Sequence, residues 1–384
     1  MHGGRTDHAR RGRCAGLRPT RSAFPPRLNL AVPKGVLMIK PMLTAAALTA
    51  ALTTVGSPAT AAAPMPTASP FCQSGKTVRF AEITWESGQF ITEVMRHILE
   101  KGYGCKTRAV PGSSTITETA LANGDLEVWA EEWEGLYDVT NKAVKDGKAT
   151  LVGKVLGGGA FEGWFVPDYV VKGDAKRGIK PMAPGLKSVY DLPKYKALFK
   201  DEENPRKSQL FGCISGWACQ KTNWGKLRAY KLNDFVQFNP GSQAALDASV
   251  ASAYKRGEPI LFYYWGPTSL LGKYNFIQLE DPKYNKACYD LVRENSPKSC
   301  PSGSPVTTLR VNLNTAFMKQ APVLTGFFER TQFTLPQLQG MLARMIDERM
   351  KPDAAAREYL KKYPDTWTKW VPAEVATKVQ ASLK

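Results

Sequence analysis

The chain has 384 residues, 43% hydrophobic and 22% charged, an ordinary globular composition with enough length for one large or two ordinary domains. Its formal net charge is +18, but residues 1–63 hold nine Lys and Arg against one Asp, so removing their +8 leaves +10, scattered among acids as in 172–178. No stripe of basic and aromatic residues marks a nucleic-acid surface, and His97, the single histidine after residue 63, argues against Ser-His-Asp and Cys-His catalysis.

Residues 1–37 are arginine-rich and carry no periodic apolar pattern. From Met38 the chain reads as a charged start, an apolar run from Pro41 to Val55, and small residues up to Ala63. That order is a secretory signal, with Ala59-Thr-Ala61 and Ala61-Ala-Ala63 as cleavage sites. Residues 1–63 are therefore read as leader and signal peptide, with either Met38 as the true start or a long leader before it. The apolar run is too short and alanine-rich to span a membrane. The expected location is periplasmic. Excluding Cys14, six cysteines remain, an even set that in a secreted chain points to disulfides. Six allow 15 connectivities; sequence proximity favours Cys213–Cys219 and Cys288–Cys300, leaving Cys72–Cys105. Zinc is the competing reading, but no Cys-x-x-Cys occurs, and no metal or cofactor is expected.

In chain order, Val78–Thr84 reads as a buried strand. Ser87 is placed to cap a helix over Gln89–Lys101 whose apolar residues Phe90, Ile91, Val94, Met95, Ile98 and Leu99 share a face, and Gly102 ends it. Cys105–Val110 is a second strand, a helix from Ser113-Ser114 to Asn123-Gly124 follows, and Leu126–Ala130 is a third strand. This rhythm predicts a parallel α/β sheet with ligands at the strands' carboxyl ends, here Thr84–Ser87 and Trp129–Trp133. Leu156-Gly-Gly-Gly159 lacks the Lys-Ser/Thr of a P-loop and reads as a flexible connection. Gly163–Val171 is strand-like and crosses to a second lobe. There, Leu192–Phe199 reads as a short helix and Phe235–Phe238 as a strand. Pro240-Gly-Ser242 caps a helix over Gln243–Arg256, and Pro259–Trp265 is a strongly β-like strand. Phe276–Glu280 is the candidate return crossing. A strand at Thr307–Leu313 follows, then helices at Pro336–Met350, Asp353–Lys362 and Pro372–Leu383. The predicted fold is α/β and two-lobed, each lobe a mostly parallel sheet flanked by helices: 64–162 with 271–384, and 163–270.

The stretch Phe211-Gly-Cys-Ile-Ser-Gly-Trp-Ala-Cys219 is a strand, a turn and the start of a helix. Free N–H groups at such a helix start can receive an anion, while Trp217 offers a π-face to a cation; a disulfide-pinned turn over a packed tryptophan is the plainer reading. Trp133, Trp217 and Trp265 all fall at predicted carboxyl ends or ligand-facing turns, as a cage for a quaternary ammonium group requires.

With Gly124-Asp125 and Trp133, Phe211-Gly-Cys213, Ser215-Gly-Trp-Ala-Cys219 and Ala253–Pro267, the chain resembles the substrate-binding proteins of ABC importers for glycine betaine and proline betaine over essentially all of Val78–Leu383. The resemblance implies a type II periplasmic binding protein, a monomer without catalytic activity that closes like a hinge on its ligand and delivers it to a permease. By position it implies an aromatic box of Trp133, Trp217 and Trp265, with the amides of Ala218 and Cys219 on the ligand carboxylate. Tyr137 stands where some members have a histidine. Trp85, Glu86, Trp129, Glu131 and Glu132 are further candidates. Glu131 and Glu132 either face the pocket, favouring a cation such as choline, or face solvent, the reading preferred from the sequence. Glycine betaine or a related quaternary ammonium compound is the expected ligand. Choline, carnitine and a cationic amino acid are the alternatives, ahead of a secreted enzyme acting on small amines.

Overall fold

The structure is a computed structural model and describes residues 65–384. The leader, its cleavage sites and the position of Met38 lie outside the described residues.

Two five-stranded sheets organise the chain. The first takes β1 (Thr77–Glu82), β2 (Lys106–Pro111), β3 (Val128–Trp133), β4 (Ala149–Val152) and a late strand, β10 (Leu309–Asn314), in the order β2-β1-β3-β10-β4. The second takes β5 (Phe161–Pro167), β6 (Ser208–Ile214), β7 (Val236–Gly241), β8 (Leu261–Gly266) and β9 (Phe276–Gln278), in the order β7-β6-β8-β5-β9. In each sheet four strands run the same way and one, β10 or β5, runs against its two neighbours, so the sheets are mixed but mostly parallel in direction, as expected. The antiparallel strands are those through which the chain changes sheet, β5 on leaving the first and β10 on returning. Phe276–Glu280, read as a return crossing, instead supplies β9, which pairs with β5 inside the second sheet.

Helix α1 (Glu86–Gly102) follows β1 and buries Phe90, Ile91, Val94, Met95, Ile98 and Leu99 completely, as its apolar spacing requires. Its N-cap is Trp85 rather than Ser87; Ser87 lies inside the first turn and uses its hydroxyl elsewhere. Helix α2 (Ser114–Asn123) closes on Gly124, whose φ of 85° is the left-handed conformation a helix stop favours. Helix α3 (Asp138–Lys145) leads to the edge strand β4.

Around the second sheet, α4 (Ala218–Ala229) follows β6. Next, α5 (Gln243–Arg256) starts on a Ser242 side-chain cap and stops on left-handed Gly257. After β8 come α6 (Ser269–Lys273) and α7 (Lys286–Arg293). Gly225 of α4 meets Val292 of α7 so closely that an added Cβ would lie 1.9 Å from the Val292 carbonyl oxygen. The chain ends in α8 (Leu335–Asp347), α9 (Pro352–Lys362) and α10 (Ala373–Ser382), with α9 and α10 packed on α1.

Disulfides join Cys72–Cys105, Cys213–Cys219 and Cys288–Cys300. The second ties the end of β6 to the first turn of α4. Among the described residues no helix is long and apolar enough to cross a membrane.

Candidate ligand cage

A small, partly open cavity lies between the carboxyl ends of the two sheets. From the first-sheet side it is lined by Trp85, Ser114, Trp133, Leu136 and Tyr137, and from the second by Glu162, Trp217, Ala218, Cys219, Tyr263 and Trp265. Six of these are the residues singled out from the sequence as the box, its amides and Tyr137, and Trp85 joins them.

Trp217 is the pivot. It occupies the N-cap of α4, after the turn that left-handed Gly216 (φ 86°) allows. Its ring meets Trp85 edge-on at a centroid distance of 5.2 Å and Trp265 edge-on at 5.2 Å. Its indole N–H donates to the Thr84 hydroxyl at 3.0 Å, a contact from the second sheet's layer to the first. An indole at the N-cap has no oxygen with which to cap the helix. Ala218 and Cys219, whose N–H groups belong to that uncapped first turn, both line the cavity. Trp265 is itself fixed by stacking on Tyr264 (4.7 Å, 29°) and Tyr263 (6.1 Å, 30°).

Glu131 organises the other wall. It is fully buried, correcting the solvent-facing expectation, and the same holds for Glu132. Strand β3 is buried on both faces, so inward and outward positions do not alternate in polarity. One Glu131 oxygen, Oε1, accepts from the Trp85 indole at 3.0 Å, the Trp133 indole at 3.1 Å and the Ser87 hydroxyl at 3.1 Å. Glu131 thus stands behind the cavity, aiming two of its tryptophans. Burial pushes its carboxyl up to about 7, against the opposing pull of those three donors.

The remaining candidates lie farther back. Glu132 is held by Asn312 at 3.4 Å and is likewise pushed up by burial and then by Glu118. Trp129 packs against Tyr137 at 5.0 Å and against Trp85 at 6.2 Å without lining the cavity. Glu86 accepts the Ser269 backbone N–H at 2.6 Å, and burial raises it to about 7. The Tyr137 hydroxyl is held well above its ordinary value by burial and then by Glu132, so it remains a neutral donor.

Sequence reasoning missed Ser114, Leu136, Glu162 and Tyr263. Tyr263 was within reach of a period-two count back from Trp265 on the same strand. Glu162 was not, because its place comes from the β5–β8 register, which sets it directly opposite Trp265. Among the described residues no group of three or more His, Cys, Asp or Glu is arranged to hold a metal.

Two mixed sheets with an aromatic cavity between their carboxyl ends have the fold of type II periplasmic binding proteins. The model of the substrate-binding domain of ABC-type glycine betaine transport systems matches residues 76–362, and the chain belongs to that family, whose members are non-catalytic binding components of ABC transporters. The chain is 26% identical over 277 residues to the glycine betaine/proline betaine-binding periplasmic protein of Escherichia coli (strain K12), covering 71% of this chain and 81% of that one. In fold it is similar to the glycine betaine/L-proline-binding protein of Borrelia burgdorferi (TM-score 0.62, 20% identity, 79% of this chain and 100% of that one). It is also similar to an ABC-transporter choline-binding protein in complex with choline (TM-score 0.63, 20% identity, 81% of this chain and 99% of that one).

Proposed function

We propose that the protein is an exported, monomeric solute receptor that captures a quaternary ammonium compound, glycine betaine or a relative of it, and presents it to an ABC permease. The observation that carries this reading is the convergence of Trp85, Trp133, Trp217 and Trp265 on one small cavity. A quaternary ammonium group has no N–H to donate, so a protein recognises it through indole faces and excluded water. The cavity walls come from both sheets, which favours two lobes that complete the cage only when they close. The sheets support a lobe division in which residues 65 to about 159 with those from about 307 form one lobe, and the chain between them the other. The periplasmic site of action follows from the leader and from the E. coli relative's name.

The test is a thermal-shift screen of glycine betaine, proline betaine, carnitine, choline and arginine. A ligand specific to the native state raises Tm by mass action. Quaternary ammonium compounds should raise it and arginine should not. The reading is overturned if arginine or an unrelated solute raises Tm while every quaternary ammonium compound leaves it unchanged.

A further inference from the structure

The charge of the cavity wall separates the quaternary ammonium compounds from one another, an inference that rests on the receptor reading above. Glu162 lies on β5 opposite Trp265 of β8, so both side chains leave the sheet on one face, and both line the cavity. Its carboxylate is held only by hydroxyls. Tyr263 donates to Oε2 at 2.5 Å, and Ser304 and Tyr289 donate to Oε1 at 2.7 and 3.4 Å. Among the described residues no Lys or Arg pairs with it, and none pairs with Glu131 behind the opposite wall. Two basic residues, Lys221 and Arg293, line the adjoining cleft that Glu162 also borders, without an ion pair to it. Arg293 is already engaged by the Leu136 carbonyl and by Asp138.

A buried carboxylate without a counter-ion leaves the inner cavity negative, and the low-dielectric walls extend that field. A betaine would bring its own carboxylate to the amides of Ala218 and Cys219, which share this cavity with Glu162. A ligand with an ammonium head and no carboxylate keeps the attraction and avoids the repulsion.

We propose that Glu162 selects quaternary ammonium compounds of net positive charge, choline among them, over the zwitterionic betaines. The test is calorimetric titration of the wild type and of Glu162→Gln with choline and with glycine betaine. Glutamine keeps an oxygen for the hydroxyl donors and removes the charge. The wild type should bind choline at least about tenfold more tightly than glycine betaine, and Glu162→Gln should shrink that ratio by about tenfold. If the wild type binds glycine betaine as tightly as choline, or if the ratio is unchanged in Glu162→Gln, the inference is wrong and the receptor reading stands. Should the variant fail to fold, tetramethylammonium against glycine betaine on the wild type carries the same test. Tighter binding of tetramethylammonium supports the inference, and tighter binding of the betaine overturns it. If no quaternary ammonium compound binds at all, the receptor reading falls and this inference with it.

Discussion

Glu131 is the residue on which the cage's geometry and its chemistry meet. It fixes two indoles through one oxygen, and it does so while buried without a cation. Its folded-state value of about 7 stands above the ordinary 4.5. Between those two values the folded chain keeps a proton that the unfolded chain has lost. The unliganded protein should therefore be most stable at the acid end of this window and lose stability as pH rises toward 7, by a few kcal/mol at most. Glu86, raised to about 7, and Asp247, raised to about 6, push in the same direction. Glu131→Gln keeps an acceptor for the indoles and removes one titration. Its Tm should fall less steeply than that of the wild type between pH 5 and 7.5; parallel curves would show that Glu131 does not titrate there. A bound cation favours the ionised carboxylate, so affinity for a quaternary ammonium ligand should rise several-fold over the same range. Titrations at the two pH values check this, and a flat profile would remove Glu131 from the ligand's field.

At the scale of elements, local signals carried far and pairings did not. The spans of α1 and α5 were legible because 3.6-residue apolar periodicity and terminal caps or glycines are written in consecutive residues. The carboxyl-end position of Trp133, Trp217 and Trp265 was legible for the same reason. Strands β4 and β9 are short sheet edges whose partners lie far along the chain, and β9 was taken for a crossing. The paired glutamates of β3 looked like surface because nothing local shows that both faces of the strand are covered. The contact of α4 with α7 supplies an element-scale prediction. Gly225→Ala would drive a methyl group into the Val292 carbonyl, displacing α7 from the helix that carries the cage amides. It should destabilise by about 1–3 kcal/mol. In contrast, Gly340→Ala in α8, where an added Cβ meets nothing within 4 Å, should be neutral or stabilising by up to about 1 kcal/mol. Urea melts of both variants check the pair, and similar losses would contradict the packing described for Gly225.

For the whole molecule, besides the Trp85–Trp217 ring contact, hydrogen bonds from three residues join the layers of the two sheets around the cavity. The Trp217 indole reaches Thr84, the Ser269 amide reaches Glu86, and Arg293 reaches the Leu136 carbonyl at 2.7 Å and Asp138 at 3.1 Å. Asp138 is largely exposed, so its ion pair contributes little; the charge-assisted bond to Leu136, next to Tyr137, is the stronger contact. If closure traps the ligand, Arg293→Ala should accelerate release and weaken affinity about tenfold, with the unliganded Tm nearly unchanged. Stopped-flow dissociation reads this directly, and an unaltered release rate would show that the Arg293 contacts do not hold the closed form.

A cage of indoles drawn from both sheets is proposed to hold a quaternary ammonium head. Its most direct test is calorimetric titration of wild type, Trp217→Ala and Trp217→Tyr with the quaternary ammonium ligand that binds best. A desolvated cation–π contact is worth about 2 kcal/mol or more, so Trp217→Ala should weaken binding about tenfold to a hundredfold. Trp217→Tyr, which keeps a π-face, should retain much of the affinity. Equal affinity in wild type and Trp217→Ala would contradict the account.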